Sequence, residues 1–324
     1  MSYLGYTLCC FVIAATAMNI VNRREWWFRI FDFPRAQLAL LGITGVFLLV
    51  YFAYSNSQVS VHLLIVASLT FAATIFHAHL VLPYTPFWHR TVDRVRQQKP
   101  EQQFTLLLSN VLQTNQAFNK LIDLVNQHQP DVLITMESDE HWENALTEIE
   151  QDYPEHLKCA QDNFYGMHLF SKYPLNRAEE CTLIQSSIPS FHTEIELSEN
   201  HAIRLHCIHP RPPSPTEAET STQRDQEMIE LAKRVDHKKT SIVAGDFNDV
   251  PWSKSMIDFL QRSKLQDPRK GRLMVNTFHA GYPFMRWPLD HVFHSNHFDL
   301  VRYKRLPSIG SDHFPILVTL QLKS

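Results

Sequence analysis

Three long apolar runs without a single Asp, Glu, Lys or Arg occupy most of the first 84 residues. They extend over Leu4–Val21, Leu38–Tyr54 and Val61–Leu82. A helix rises ~1.5 Å per residue, so each run is long enough, or nearly so, to cross ~30 Å of hydrocarbon. The short connector Ser55–Gln58 lies between the second run and the third, which indicates a helical hairpin. The sequence therefore predicts a membrane domain with three transmembrane helices over residues 1–84.

Two other interpretations of these runs are possible, namely buried helices of a soluble protein and a cleaved signal peptide. Three such runs in succession are hard to bury in a domain of this size. A signal peptide begins with a basic segment, and the residues before Leu4 include neither Lys nor Arg. Both interpretations are therefore disfavoured.

Basic residues in the short flanking segments predict the orientation of the helices. Between the first and second runs lie Arg23, Arg24, Arg29 and Arg35, and after the third run lie Arg90, Arg94, Arg96 and Lys99. The hairpin connector has none, so three crossings place the N-terminus outside and the C-terminal domain in the cytoplasm. The five cysteines include no CxxC pair, which agrees with free thiols in a reducing compartment.

The remainder of the chain is mildly acidic. It carries 26 Lys/Arg (30 minus 4) against 31 Asp/Glu (33 minus 2), a net charge of about −5. This balance argues against a protein that coats nucleic acid through charge alone. It does not exclude a nuclease, because bound metal ions would supply positive charge at a phosphate site.

From Phe104 onward, apolar runs alternate with amphipathic segments. Phe118, Leu121, Ile122 and Val125, for example, recur on one face of a helix. The predicted helices are Asn115–His128, Asp139–Ile149, Thr216–Val235 and Ser253–Arg262. The predicted strands are Phe104–Val111, Asp131–Glu137, Gly166–Ser171, Phe191–Leu197, Ala202–His209, Ser241–Phe247, Leu289–His294, Leu300–Tyr303 and Phe314–Leu322. This mixture indicates an α/β or α+β domain over residues 104–324, joined by a linker over 85–103, and leaves open whether it holds one sheet or two.

Polar side chains recur at the ends of these strands. They are Asn110, Glu137, His209, Asp246 and Asn248 within Gly245–Asn248, Asp290, and Asp312 and His313 within Ser311–Pro315. Each alone is explained as a cap, a turn or a loop residue. Together they suit phosphate-ester hydrolysis, because carboxylate and amide oxygens bind Mg²⁺ and histidine transfers protons. The chain has no P-loop, GxSxG elbow or zinc-type spacing.

The same ordered set resembles the endonuclease/exonuclease/phosphatase superfamily over about Phe104 to Leu322. Gly-Asp-Phe-Asn at 245–248 and Ser-Asp-His at 311–313 carry the resemblance, and Tyr165–Leu175 is similar to the family strand that ends in Ser-Arg/Lys-Tyr-Pro. The superfamily includes deoxyribonucleases, neutral sphingomyelinases and inositol polyphosphate 5-phosphatases. The resemblance implies a four-layer sandwich, with two mixed β-sheets face to face and helices outside. We expect a bacterial-type, membrane-anchored member, integral to the inner or cell membrane.

The resemblance also implies a role for each matched residue. Glu137 corresponds to the main metal-binding glutamate, with Asn110 beside it and Asp312 near the metal, and the expected cofactor is Mg²⁺ or Mn²⁺. Asp246 and Asn248 correspond to the pair that orients the attacking water and holds the phosphate. His209 contacts the phosphate or protonates the leaving oxygen. Asp290 orients His313, which lies at the scissile phosphate or acts as the base.

Two features depart from the family pattern. Met136 stands where many members have Gln before the metal glutamate, and no acidic partner for His209 is identifiable. Phe278, Tyr282, Phe284 and Trp287 cluster before Asp290 and either border the substrate or pack beneath their loop.

The expected partners are the lipid bilayer and a phosphate-ester substrate, either nucleic acid or a lipid headgroup. No obligate protein partner is evident. The alternative function is a catalytically inactive membrane adaptor that uses the same fold for binding.

Overall fold

A computed structural model describes residues 2–21, 23–198 and 201–323 of the chain. It divides into two compact units. The first comprises Met1–His89 together with Pro213–Ser221, and the second comprises Arg90–Pro212 and Thr222–Ser324. Nothing in the sequence pattern indicates that residues 213–221 group with the first unit.

The first unit is helical. Its helices are α1 (Ser2–Val21), α2 (Trp26–Arg29), α3 (Arg35–Asn56) and α4 (Val61–Val81), with 3₁₀ turns at Ile30–Asp32 and Leu82–Tyr84. Of these, α1, α3 and α4 are long and apolar enough to span a membrane. The connection from α3 to α4 is short because Ser57 adopts a left-handed conformation and the Ser60 hydroxyl accepts a hydrogen bond from the Leu63 amide.

Polar side chains are buried within this helical unit. Asp32 accepts a hydrogen bond from Arg35 at 2.5 Å, and His77 lies 2.9 Å from the Thr16 hydroxyl. Burial of such groups requires partners of this kind. His77 therefore occupies a contact between α1 and α4.

The second unit contains two β-sheets. The strands are β1 (Gln103–Asn110), β2 (Val132–Met136), β3 (Glu155–Cys159), β4 (Met167–Ser171), β5 (Leu175–Cys181), β6 (Ser190–Ser198), β7 (His201–Ile208), β8 (Ser241–Asp246), β9 (Asp290–His294), β10 (Phe298–Arg305) and β11 (Ile316–Leu322). One sheet has six strands in the order β10-β11-β1-β2-β4-β3, and the other has five in the order β5-β6-β7-β8-β9. Both sheets mix parallel and antiparallel pairs.

The two sheets pack face to face. Successive residues of a strand point to opposite sides, so each sheet has one face toward the other sheet and one face toward the helices. Leu106 of β1 and Leu205 of β7 share one buried cluster between the sheets. Leu107 instead packs outward, against α5 (Phe118–His128) and α6 (Glu140–Leu146). Val243 of β8 packs outward against α7 (Thr222–Arg234) and α8 (Lys254–Ser263). The predicted four-layer sandwich of two mixed sheets flanked by helices is confirmed.

Three elements differ from the sequence predictions. Strands β3 and β5 are absent from the prediction, and each forms an edge of its sheet. Their residues are mostly polar and partly or fully exposed, so they lack an apolar run. Helix α7 begins at Thr222 rather than Thr216, because residues 213–221 form turns and bridges instead.

Parallel pairing brings chemically important strand ends together. β1 pairs with β2 up to Asn110 and Met136, and β7 pairs with β8 up to Ile208 and Gly245. A side chain on residue 245 would place its Cβ 2.0 Å from the Ile208 carbonyl oxygen. Glycine therefore permits the close approach of β7 and β8 immediately before their polar residues.

Candidate active site

The predicted site residues lie at or next to the ends of strands from both sheets. Asn110 and Asp246 are the last residues of β1 and β8, and Asp290 is the first of β9. Glu137 and His209 each follow a strand directly. The polar ends of the two sheets meet across the sandwich, since Asn110 and Asp246 belong to different sheets and share a hydrogen bond.

Asn110 connects two carboxylates. Its side-chain nitrogen donates to Glu137 Oε1 at 2.7 Å and to Asp246 Oδ2 at 3.0 Å. Its side-chain oxygen accepts a hydrogen bond from the Leu112 amide at 3.0 Å. The amide is thus held with its donor between the carboxylates. In this arrangement Asn110 orients Glu137, and its role as a direct metal ligand stays a prediction.

Glu137 has two unusual properties. Its φ is 61°, a left-handed value that is uncommon for a glutamate. Its Oε2 atom is buried and has no hydrogen-bond partner among the described residues. Burial raises the pKa of Glu137 to about 7, although the hydrogen bond from Asn110 acts to lower it.

The loop after β8 places Asp246 and Asn248. The Asn248 amide donates to Asp246 Oδ1 at 2.9 Å, and the Asn248 side-chain nitrogen donates to the Pro210 carbonyl at 3.0 Å. Asn248 has a φ of 50°, a conformation that asparagine tolerates better than most residues. Burial raises the pKa of Asp246, because the charged form loses hydration.

His313 lies between two carboxylates. Its Nδ1 is 2.8 Å from Asp290 Oδ2, and its Nε2 is 3.5 Å from Asp246 Oδ2. Burial acts to lower the pKa of His313, but the carboxylates of Asp290 and Asp246 outweigh it and raise that pKa to about 10. The ring is therefore an imidazolium that can donate two hydrogen bonds.

His209 is near the same carboxylate oxygen of Asp246 as His313. Its Nε2 is 3.7 Å from Asp246 Oδ2, and its Nδ1 is buried without a hydrogen-bond partner in the described chain. Burial lowers the pKa of His209, with Asp246 acting in the opposite sense. No acidic residue contacts Nδ1 in the described structure, and the Tyr165 ring packs 5.3 Å away instead.

Asp312 belongs to the loop that carries His313. Its carbonyl accepts a hydrogen bond from the Ala280 amide at 2.6 Å, and its carboxylate is half-buried. Its negative charge raises the pKa values of both Glu137 and His313. Asp312 thus shares the electrostatic environment of the site, although no direct contact joins it to Glu137 within the described residues.

Two places in this cluster offer ligands for a metal ion, namely the group of Asp246, Asp290 and His313 and the carboxylate of Glu137. Ligand atoms of Asp246, Asp290 and His313 lie within 4.8 Å of one another. His313 Nδ1 and Asp290 Oδ2 lie 2.8 Å apart and already satisfy each other. Glu137 fits better, because its Oε2 is buried and unpartnered and because hard cations such as Mg²⁺ prefer carboxylate oxygens.

Three residues near the site are not among the predicted site residues. Tyr165 packs against His209 and begins the motif already compared with the family strand. Arg224 and Asp249 form a buried ion pair behind Asn248. Asp249 directly follows the Gly-Asp-Phe-Asn motif, but nothing in the local pattern identifies Arg224, which lies 24 residues earlier.

Known structures share this fold. An endonuclease/exonuclease/phosphatase from Beutenbergia cavernae is 17% identical with a TM-score of 0.58, covering 69% of this chain and 72% of that one. A family protein from Bacteroides thetaiotaomicron is 17% identical with a TM-score of 0.56, covering 68% and 98%. The human Nocturnin catalytic domain with a bound sulfate anion is 16% identical with a TM-score of 0.54, covering 72% and 98%.

At these identities the likeness establishes the fold alone. No curated protein matches the chain. The sequence model of the Endonuclease/Exonuclease/phosphatase family, however, matches residues 50–313, which is most of the chain and includes all eight predicted site residues. Fold, strand-end residues and sequence model agree, and the chain belongs to the endonuclease/exonuclease/phosphatase family.

Proposed function

We propose that this protein is a membrane-anchored, divalent-metal-dependent phosphoesterase. The observation that carries the proposal is the hydrogen-bonded series Glu137–Asn110–Asp246, next to the His313–Asp290 pair. It offers a cation ligand, a carboxylate for water and an imidazolium for phosphate within one buried cluster. Family membership supports a hydrolase, since the fold is generally hydrolytic.

Each protein group has a task in the proposed reaction. Asp246 accepts a hydrogen bond from the attacking water and directs it toward phosphorus. His313, as an imidazolium, donates to a phosphate oxygen, and Asp290 fixes the orientation of its ring. Asn248 donates to another phosphate oxygen from its side-chain nitrogen. His209, which is near the same Asp246 oxygen as His313, acts on the leaving oxygen.

Glu137 would hold the cation, and Asn110 keeps its carboxylate in place. When bound, a divalent cation neutralises charge on the phosphate and lowers the pKa of a coordinated water. The raised pKa of Glu137 agrees with this assignment, because a buried carboxylate without a cation is costly to ionise.

For the substrate we favour a phosphate ester of a membrane component, such as a lipid headgroup. Three helices long enough to cross a membrane support this choice. A second support is the loop that hydrogen-bonds to Asp312, in which Tyr282 and Met285 are exposed and Phe284 is 90% exposed. Exposed apolar groups beside a site suit an amphipathic substrate better than a polyanion. The acidic balance of residues 85–324 also disfavours nucleic acid.

The test is hydrolysis by the full-length protein in detergent micelles with Mg²⁺. The panel comprises sphingomyelin, phosphoinositides, plasmid DNA, RNA and a chromogenic phosphodiester. We expect turnover of a lipid substrate by wild type, and a loss of at least about 100-fold in His313→Ala, which removes the donor to phosphate. His297→Ala changes a histidine outside the site and serves as the matched control.

The outcomes separate the alternatives. Turnover of DNA or RNA alone would replace the lipid proposal with a nuclease. Absence of turnover on every substrate, with wild-type protein folded, would favour the inactive adaptor. Equal activity of His313→Ala and His297→Ala would contradict the proposed site.

A further inference from the structure

A buried ion pair lies directly behind Asn248. Arg224 of α7 is only 2% exposed, and its two terminal nitrogens contact consecutive residues of the loop after β8. One donates to the Asn248 carbonyl oxygen at 2.8 Å, and the other lies 2.9 Å from Asp249 Oδ2. A side chain of α7 thus fixes the backbone on which the proposed phosphate donor stands.

Several contacts hold the loop conformation at Asn248. Its φ of 50° lies in the left-handed region, which asparagine tolerates better than most residues, and its two backbone groups and its side chain each have a partner. Its amide is held by Asp246 Oδ1 and its side chain by the Pro210 carbonyl. Among the described residues, Arg224 supplies the hydrogen bond to its remaining backbone group, the carbonyl oxygen.

Asp249 keeps Arg224 in position. Its Oδ2 also accepts hydrogen bonds from the hydroxyls of Ser253 at 2.7 Å and Ser255 at 2.5 Å, at the start of α8. Its carbonyl oxygen lies 2.9 Å from His291 Nε2, on the residue after Asp290. The loop is therefore fixed to α7, α8 and β9 at once, which leaves little freedom for Asn248.

We propose that Arg224 is a positioning residue for Asn248 in the hydrolytic reaction. The inference rests on the proposed function, because it assigns Asn248 the task of donating to phosphate. Arg224 itself lies behind the loop, with its contacts to the Asn248 carbonyl and the Asp249 carboxylate. A planar guanidinium can reach both acceptors together, whereas the single ammonium of a lysine acts as a point charge.

The decisive variant is Arg224→Met/Asp249→Asn in full-length protein in detergent. Arg224→Met alone removes the guanidinium beside the buried Asp249 carboxylate, so it loses stability for a reason unrelated to positioning. The double variant removes both charges. The oxygen of the Asn side chain still accepts from the two serines, whereas an NH₂ group replaces the oxygen that accepts from the Val250 amide. We expect its thermal midpoint to exceed that of Arg224→Met while kcat stays on the order of 100-fold below wild type, with KM little changed.

A second ion pair on the same helix provides the matched control. Arg234 lies 3.0 Å from Glu179, at the other end of α7 and away from the loop. Arg234→Met/Glu179→Gln should keep wild-type kcat. Arg224→Lys retains a positive charge beside Asp249 and tests the positioning of Asn248 if the double variant does not fold. We expect its kcat to be about 10-fold or more below that of wild type.

Recovery of both stability and kcat in the double variant, or wild-type kcat in Arg224→Lys, would overturn the proposal. Hydrogen exchange of the Asn248 amide tests the positioning separately from activity. Faster exchange of this amide in the double variant than in the Arg234→Met/Glu179→Gln control supports the positioning role. That support holds even if wild type hydrolyses no substrate, because the absence of turnover would refute only the proposed function. Unchanged exchange would overturn the positioning role.

Discussion

Replacing Gly245 with alanine should damage the site without touching any of its polar groups. The new Cβ would lie 2.0 Å from the Ile208 carbonyl oxygen, and ordinary contact begins at 3.4 Å, so the backbones must separate by 1.4 Å. A typical hydrogen-bond distance of ~2.9 Å between the strands would then exceed ~4 Å, and the bond would be lost. The loss of about one such hydrogen bond, together with overpacking of the two strands, should lower the free energy of unfolding by roughly 2–4 kcal/mol.

Activity should fall as well, because Asp246 and His209 directly follow the two residues forced apart. A displacement of about 1 Å at reacting groups costs on the order of 100-fold in rate. The assay is thermal unfolding and kcat of full-length protein in detergent. At roughly 2–4 °C per kcal/mol for a domain of this size, the midpoint should drop by about 10 °C.

Gly281→Ala is the control for this change. Its Cβ would lie 3.3 Å from the tip of the His279 side chain, which can move, and Gly281 is exposed. We expect the thermal midpoint of Gly281→Ala to equal that of wild type. A wild-type midpoint and kcat in Gly245→Ala would refute the proposed close approach of the strands at this position.

Three further predictions follow from buried groups. Burial raises the pKa of Glu227 to about 7 from 4.5, so its contribution to stability is present at low pH and lost as pH rises through about 7. Glu227→Gln should therefore raise the free energy of unfolding by up to about 3 kcal/mol at pH 9 and leave it unchanged at pH 4, as measured by thermal unfolding. An equal increase at both pH values would contradict this prediction. Met136→Leu removes the sulfur that accepts a hydrogen bond from the Asp246 amide at 3.0 Å, so the free energy of unfolding should fall by about 1–3 kcal/mol. Met136→Gln restores an acceptor and should retain the wild-type stability in the same assay. Asp290→Asn should lower the pKa of His313 from about 10, reduce kcat roughly 100-fold and move the alkaline limb of the pH–rate profile to lower pH; an unmoved limb would show that His313 does not set it.

The sequence predicted the inner strands and three long helices because their apolar runs are continuous. It failed where strands are polar. β3 and β5 are edge strands whose side chains face solvent, and they therefore have no apolar run to detect. The start of α7 was also misjudged, since the backbone of residues 219–221 instead bonds to Arg24 and Trp26, nearly 200 residues earlier. Contacts at that separation leave no local pattern.

The site shows the same division. Family motifs marked all eight polar residues at strand ends, and the structure brings seven of them into one network of contacts, with Asp312 in the adjoining loop. The hydrogen bonds of Asn110 to carboxylates on both sheets depend on how the sheets pack, which periodicity does not reveal. Arg224 lies on a helix face that reads simply as polar, so its place behind Asn248 emerges only from the fold.

Metal dependence at Glu137 is the central claim, and the rate of phosphate-ester hydrolysis against Mg²⁺ concentration tests it most directly. Full-length wild type, Glu137→Gln and the exposed control Glu155→Gln are compared on the best substrate of the panel after removal of metal with a chelator. We expect no turnover without metal, recovery with Mg²⁺ in wild type and Glu155→Gln, and a need for far more Mg²⁺ in Glu137→Gln. Turnover that survives chelation, or the same Mg²⁺ dependence in all three proteins, would contradict metal dependence at Glu137.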